Sequence, residues 1–234
     1  MSLWDILFPK KCIFCGALLS TGKEYACLSC LEKISIPRGA RCQKCGKPLP
    51  SEHALPICLA CRTDKYGFTK VYAPFLYQDS VKNGLYRLKF HGKRSIARTF
   101  AEFIYLEMMR EGIPPLDWVC AIPMDGARQR DRGYNQSELI ARWLAKRLGL
   151  PYRTPLKKKP LAHRQVGLSG KERRKNVKGA FLPKNERDIK DASILLVDDI
   201  FTTGATVGEA SRTLLRSGAN QVFVATVAVT PKEV

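Results

Sequence analysis

The chain has 234 residues, 45 % of them apolar, enough for a sizeable core and too many for a disordered protein. That length accommodates one medium domain plus a small module, or one larger domain, and no apolar run approaches the roughly 18 residues a membrane-spanning helix needs. Forty Lys and Arg against 21 Asp and Glu leave a formal charge of +19, which points to a polyanionic partner: nucleic acid, a phosphorylated substrate or an anionic membrane surface.

In chain order, Met1 to Pro9 is apolar but short, with neither a basic leader nor a small-residue cleavage site. It reads as a docking turn, and the protein is expected in the cytoplasm. Eight of the nine cysteines then form four Cys-x-x-Cys pairs: Cys12/Cys15, Cys27/Cys30, Cys42/Cys45 and Cys58/Cys61. In a reducing compartment disulfides are disfavoured. Two-residue spacing lets two thiolates grip one cation from a tight turn, and two such turns complete a tetrahedral four-sulfur shell, so zinc is expected. A redox motif or an iron–sulfur cluster lacks the expected setting here. Sequential and interleaved pairings of the four turns use the same residues, and both stay open. Gly16 and Gly46 follow two of the pairs, where the backbone must turn freely. Residues 1–63, rich in Cys, Gly and Pro, are expected to form a zinc-ribbon-like module whose halves 12–30 and 42–61 repeat one plan.

From Tyr66 onward the pattern changes to alternating strands and helices, giving a second expected domain over 64–234. Val71 to Tyr77 reads as a strand. Residues 80–110 show helical periodicity through Val81, Leu85 and Leu88, then Ile96, Phe100, Phe103, Ile104 and Met108. Trp118 to Ile122 is a short buried strand, within which Cys120 is plain core. Asn135 is expected to cap the next helix, with Glu138 as its capping-box partner and Gly149 as the stop. Residues 151–191 are basic and aperiodic and read as a long loop or arm. Ser193 to Val197 is an apolar strand, Thr206 to Ser217 a helix and Gln221 to Val229 a further strand. The alternation implies α/β architecture with a parallel sheet flanked by helices.

The most informative stretch runs from Ile194 to Thr206, Ile-Leu-Leu-Val-Asp-Asp-Ile-Phe-Thr-Thr-Gly-Ala-Thr. A buried strand ends in two carboxylates, and small and hydroxylic residues then lead into a helix. Successive backbone amides, threonine hydroxyls and the positive helix end make a nest for a dianionic phosphate. Asp198 and Asp199 would repel a bare phosphate, so they suit vicinal sugar hydroxyls or a Mg²⁺ shared with the ligand. Gly170-Lys171 lacks the rest of a Walker loop. His53, His91 and His163 stand alone, without a metal or triad pattern. Lys89 to Arg94 is basic with one aromatic residue, a pattern that fits either single-stranded nucleic acid or an ordinary helix end.

The Ile194–Thr206 segment resembles the phosphoribosyl-diphosphate (PRPP) motif of type I phosphoribosyltransferases. With the early Cys-x-x-Cys repeats, the run Arg128 to Gln136, and Gln165 to Ser169 continuing through Arg173, Arg174 and Asn176 to Phe181, the chain resembles the ComF family of competence-associated proteins over nearly its whole length. The resemblance implies that Asp198 and Asp199 hold the ribose hydroxyls and act in catalysis if the protein is an enzyme. It implies that Thr202, Thr203, Gly204, Ala205 and Thr206 enclose the 5′-phosphate. Pyrophosphate would meet the loop containing Pro123 and Met124, with Arg128 and Arg130 beyond it, and Arg173 and Arg174 would close over it from a hood. Asp125 stands where many ComF relatives carry histidine, placing a negative charge close to the expected pyrophosphate. The resemblance further implies Mg²⁺ with PRPP, a role in DNA uptake and single-stranded DNA as a partner, with the zinc module either helping to hold that DNA or docking a protein such as a helicase of the same pathway. No residue cluster specifies an acceptor, so phosphoribosyl transfer and plain PRPP binding both stand as expectations.

Overall fold

The computed structural model describes residues 10–20, 24–50, 55–63, 66–159 and 177–231. Its centre is a parallel sheet built from β1 (Val71–Tyr72), β2 (Phe75–Leu76), β3 (Trp118–Ala121), β6 (Ser193–Phe201) and β7 (Gln221–Val229). The order is β1–β7–β6–β3, with β2 also pairing to β7, so β7 and β6 are the inner strands. Ile194 to Val197 and Val222 to Val229 are buried along their whole runs, as strands covered on both faces must be.

Side-chain parity divides the core. On β6 and β7, Leu195, Val197, Phe223, Ala225 and Val227 face the layer made by α3 (Asp79–Phe90), α4 (Ile96–Glu111) and α6 (Gln136–Leu148). Ile194, Leu196, Val222 and Val224 face the layer that holds α7 (Ala205–Arg216), Tyr66 and Phe68. The short helix α5 (Gly126–Arg132) follows β3 at the sheet edge. Strands β4 (Leu156–Lys158) and β5 (Phe181–Pro183) form a separate antiparallel ribbon.

Several expectations are refined. The strand expected over Val71 to Tyr77 is two short pieces separated by Ala73 and Pro74, because proline cannot donate to a ladder. The 80–110 stretch breaks into α3 and α4 at Gly92, whose φ of 63° is left-handed. The basic 151–191 arm contains β4 and β5; Gln165 to Asn176, including Arg173 and Arg174, lies outside the described residues. Glu138 pairs with Arg142 one turn on, at 2.8 Å, rather than reaching back to close a capping box.

Asn135 caps α6 as expected, its Oδ1 accepting from Ser137 N at 3.1 Å, while its Nδ2 donates to Ile122 O at 2.9 Å. One buried amide therefore both starts the helix and fixes the chain leaving β3. Asn135→Ala is expected to cost about 1–3 kcal/mol, the sum of a lost cap and an unsatisfied carbonyl, read as a lower urea midpoint with unchanged m-value.

The cysteine module repeats in detail. Cys12 N bonds Ala17 O and Cys42 N bonds Lys47 O, at 2.8 and 2.9 Å. Gly16 N and Gly46 N return to Cys12 O and Cys42 O, each at 2.9 Å. Each half ends in a five-residue helix carrying a cysteine of the second pair, α1 (Leu28–Glu32) or α2 (Leu59–Thr63). The halves pack apart. Phe14 of the first meets Phe100 of α4 and lies close to Gly84 of α3, while Cys42 and Cys45 of the second cluster with Phe68 and Val71. Each half-module therefore covers a different face of the sheet domain.

Candidate functional site

The cysteines resolve into two groups, Cys12, Cys15, Cys27 and Cys30, and Cys42, Cys45, Cys58 and Cys61, with the sulfurs of each group within 4.8 Å of one another. The pairing is thus sequential. Zinc bound by four sulfurs at about 2.3 Å sets neighbouring sulfurs about 3.8 Å apart. Cys15 and Cys27 lie 3.7 Å apart and Cys45 and Cys58 3.8 Å apart, so both donor sets fit the ion. Cys120 is fully buried in β3, where burial pushes its thiol up and keeps it protonated.

The second site lies at the C-terminal edge of the sheet, where ligands bind in open α/β folds. A cleft of about 300 Å³ opens between the ends of β3 and β6. β6 runs past its apolar half to Phe201, and Asp198 and Asp199 at this end both meet the start of α6. The Asp198 Oδ1 accepts from Ser137 Oγ at 3.0 Å and from Asp199 N at 2.9 Å. The Asp199 Oδ2 meets Lys89 Nζ at 2.6 Å and Gln136 Nε2 at 2.9 Å. Burial, with the Asp199 charge next, pushes the Asp198 carboxyl up to about 7.

Pro123, Met124, Arg128, Asp198, Asp199 and Thr206 all line this cleft. Thr202 to Gly204 form the turn before α7, where Gly204 is left-handed at φ 77° and Ala205 N bonds Thr203 Oγ1 at 3.4 Å. The first amides of α7 have no intrahelical acceptor and are available to an anion. Arg130 is exposed on α5 and does not line the cleft. Asp125 does line it, yet its Oδ1 accepts from Ala127 N and Arg128 N at 3.1 and 3.4 Å. The negative charge expected to trouble pyrophosphate is thus engaged as the N-cap of α5.

Sequence reasoning missed Lys89, Ser137, Arg132 and Lys158, all of which line the cleft. Lys158 sits on β4, where burial and the Arg128 charge lower its ammonium below the usual lysine range while Asp198 and Asp125 oppose them. Gln136 and Ser137 follow the cap that starts α6, which carries them to the ends of β3 and β6. Beside the cleft, sharing Lys89, Phe90, Arg128 and Arg132 with it, lies a groove of about 450 Å³ that reaches Gly92 and Tyr134. The Arg132 guanidinium stands 5.0 Å over the Phe90 ring and that of Arg94 4.7 Å over Tyr134.

Two four-cysteine ribbons joined to this sheet define a class, the double zinc ribbon combined with a phosphoribosyltransferase-type domain. Residues 3–62 match the family model described as a double zinc ribbon domain, and residues 135–233 match that of the phosphoribosyl transferase domain. The chain is 30 % identical over 224 residues to "Competence protein F" of Haemophilus influenzae, covering 93 % of this chain and 96 % of that one. It is 29 % identical to "Competence protein ComFC" of Bacillus subtilis (92 % and 88 % covered) and 28 % to "DNA utilization protein YhgH" of Escherichia coli K12 (92 % and 95 %). The chain belongs to the ComF family of competence-associated proteins. A solved structure, that of the allosteric regulatory enzyme of purine biosynthesis, overlays 57 % of this chain and 25 % of its own at 19 % identity and a TM-score of 0.38, too loosely to bear on the site.

Proposed function

We propose that the cleft between β3 and β6 binds PRPP with Mg²⁺, and that the protein serves DNA uptake in the cytoplasm by handling single-stranded DNA. The observation that carries the first part is the convergence of an acidic pair, a phosphate turn and several cations on one cleft. Thr206 and the α7 amides take the 5′-phosphate. Asp198 and Asp199 accept from the ribose hydroxyls, with Lys89 and Gln136 holding Asp199 in place. Arg128, Arg132 and Lys158 face the diphosphate, guanidinium forks being well matched to phosphate oxygens. Mg²⁺, when bound, screens the diphosphate charge. In the descriptions of the relatives, competence and DNA utilization support the second part, as does the net charge of +19. So does the exposed aromatic pair Tyr86 and Phe90, 4.9 Å apart and flanked by Arg132 and Lys89.

A second reading, transfer of the phosphoribosyl group, is favoured by the adjoining groove. There an acceptor would attack C1 of the ribose as pyrophosphate leaves with the bonding pair. Calorimetric titration with PRPP and Mg²⁺, alone and in the presence of oligo(dT), tests both parts. Saturable PRPP binding is expected, with DNA affinity falling steeply as salt rises. A protein that binds neither ligand at low salt would overturn the proposal, while pyrophosphate release only with an added nucleobase would establish transfer.

A further inference from the structure

The two half-modules share one backbone plan and do different work at the sheet. In the first, the knuckle residue Phe14 packs on Phe100 of α4, and Ala17 follows the knuckle glycine. In the second, the same two positions are Lys44 and Lys47. Lys44 Nζ donates to Tyr66 O at 3.3 Å and stands 5.6 Å from the Phe68 centroid; Lys47 Nζ lies 5.9 Å from the Phe201 centroid. Lys44 O also accepts from Val71 N at 2.8 Å, tying the knuckle to β1.

Those aromatics form a shelf beneath the phosphate turn. Tyr66 and Phe68 stack with centroids 5.1 Å apart, and Phe68 meets Phe201 edge-on at 5.8 Å. The Tyr66 hydroxyl donates to Thr203 O at 2.6 Å, within the turn itself. The fit leaves no slack: a Cβ on Gly204 would fall 2.8 Å from Phe201 Cζ and 3.0 Å from Tyr66 Cε1, and one on Gly208 would fall 2.8 Å from Tyr66 Cδ1. Both glycines belong to the start of α7, whose amides face the anion.

We infer that the second zinc ribbon positions the phosphate turn through Tyr66, so that zinc held by Cys42, Cys45, Cys58 and Cys61 and a phosphorylated ligand at the turn strengthen each other's binding. The inference rests on the PRPP reading of the cleft. The four thiolates fix the knuckle, and the knuckle fixes Lys44 and Lys47. The shelf then holds Thr203 and Gly204 in the geometry that aims the α7 amides outward. Coupling of this kind is reciprocal: whatever zinc does for the ligand, the ligand does for zinc. The first ribbon has no comparable link to the turn among the described residues, so its zinc is indifferent to the ligand.

The test uses the zinc-loaded full chain. Tyr66→Phe removes one hydroxyl and keeps the ring, so two zinc ions per chain should remain while PRPP affinity with Mg²⁺ falls about fivefold, the worth of one hydrogen bond. In the wild type, zinc release to a chromogenic chelator should show two phases, of which saturating PRPP slows only the one missing from Cys45→Ser. Tyr66→Phe should lose that protection, a readout that a purely structural tyrosine would not move. Wild-type affinity in Tyr66→Phe, or PRPP that slows neither phase, overturns the coupling while the cleft assignment stands. A wild type that does not bind PRPP sinks both. Should Tyr66→Phe not fold, the protection measured on the wild type decides the question alone.

Discussion

Replacing both acids at the end of β6, Asp198→Asn with Asp199→Asn, is expected to abolish PRPP binding and leave the fold intact. Asn keeps the size of each side chain and its capacity to accept from Ser137 or Gln136, so packing around β6 survives. What disappears is the pair of charges that holds sugar hydroxyls or Mg²⁺. A loss of at least a hundredfold, about 2.7 kcal/mol, is expected by calorimetry, with an unchanged circular dichroism spectrum. Unchanged affinity in the double variant would refute the assignment.

The single variant Asp198→Asn adds a pH test. Burial and the Asp199 charge hold the Asp198 carboxyl at about 7, above its ordinary 3.8. A carboxyl raised in this way contributes stability that is full below its unfolded value and is lost as pH rises through the folded one. The ligand-free wild type should therefore lose stability between about pH 4 and 7 from this group, and Asp198→Asn should not. The melting temperature of the variant should exceed that of wild type at pH 8 and converge with it towards pH 4. A gap independent of pH would show that the Asp198 carboxyl is not raised in the folded protein.

The second large effect is expected at the metal. Cys45→Ser removes a buried sulfur from the second ribbon, and zinc content should fall from two ions per chain to one after dialysis against a mild chelator. Structural zinc supplies roughly 10–16 kcal/mol of apparent binding energy in ribbon-sized modules, so the vacated knuckle should lose its fold. Hydrogen exchange should then quicken around Phe68, Val71 and Phe201, and much less around Phe14 and Phe100. Cys120→Ala should keep both ions, since Cys120 is core. Zinc that stays at two in Cys45→Ser would exclude the four-sulfur shell.

Much of the architecture was readable along the chain. Val222–Val229 is apolar but for Thr226 because β7 is an inner strand covered on both faces, and the limits of the strand, Gln221–Val229, are those expected. The Cys-x-x-Cys spacing signalled zinc, but the number of shells and their sequential pairing needed the fold. The acidic pair and Thr206 were legible because strand, turn and helix are consecutive. Lys89 and Lys158 were not legible as cleft residues, since each reaches the cleft by tertiary packing from another element. Asp125 looked like an obstacle in one dimension; the turn into α5 makes it a cap. Lys89–Arg94 reads from the sequence as either a single-stranded nucleic-acid surface or a helix end, and the fold shows the helix end. Lys89 lies in the last turn of α3 and pairs with Asp199.

The half-modules sit astride the sheet, and this bears on any attempt to trim the protein. A fragment beginning at residue 64 would strip shelter from two flanks at once, baring Phe100 on one side and Phe68 with Val71 on the other. The cysteine-rich leader thus acts as a pair of bookends, and the volume between them is not expected to stand upright once they are taken away.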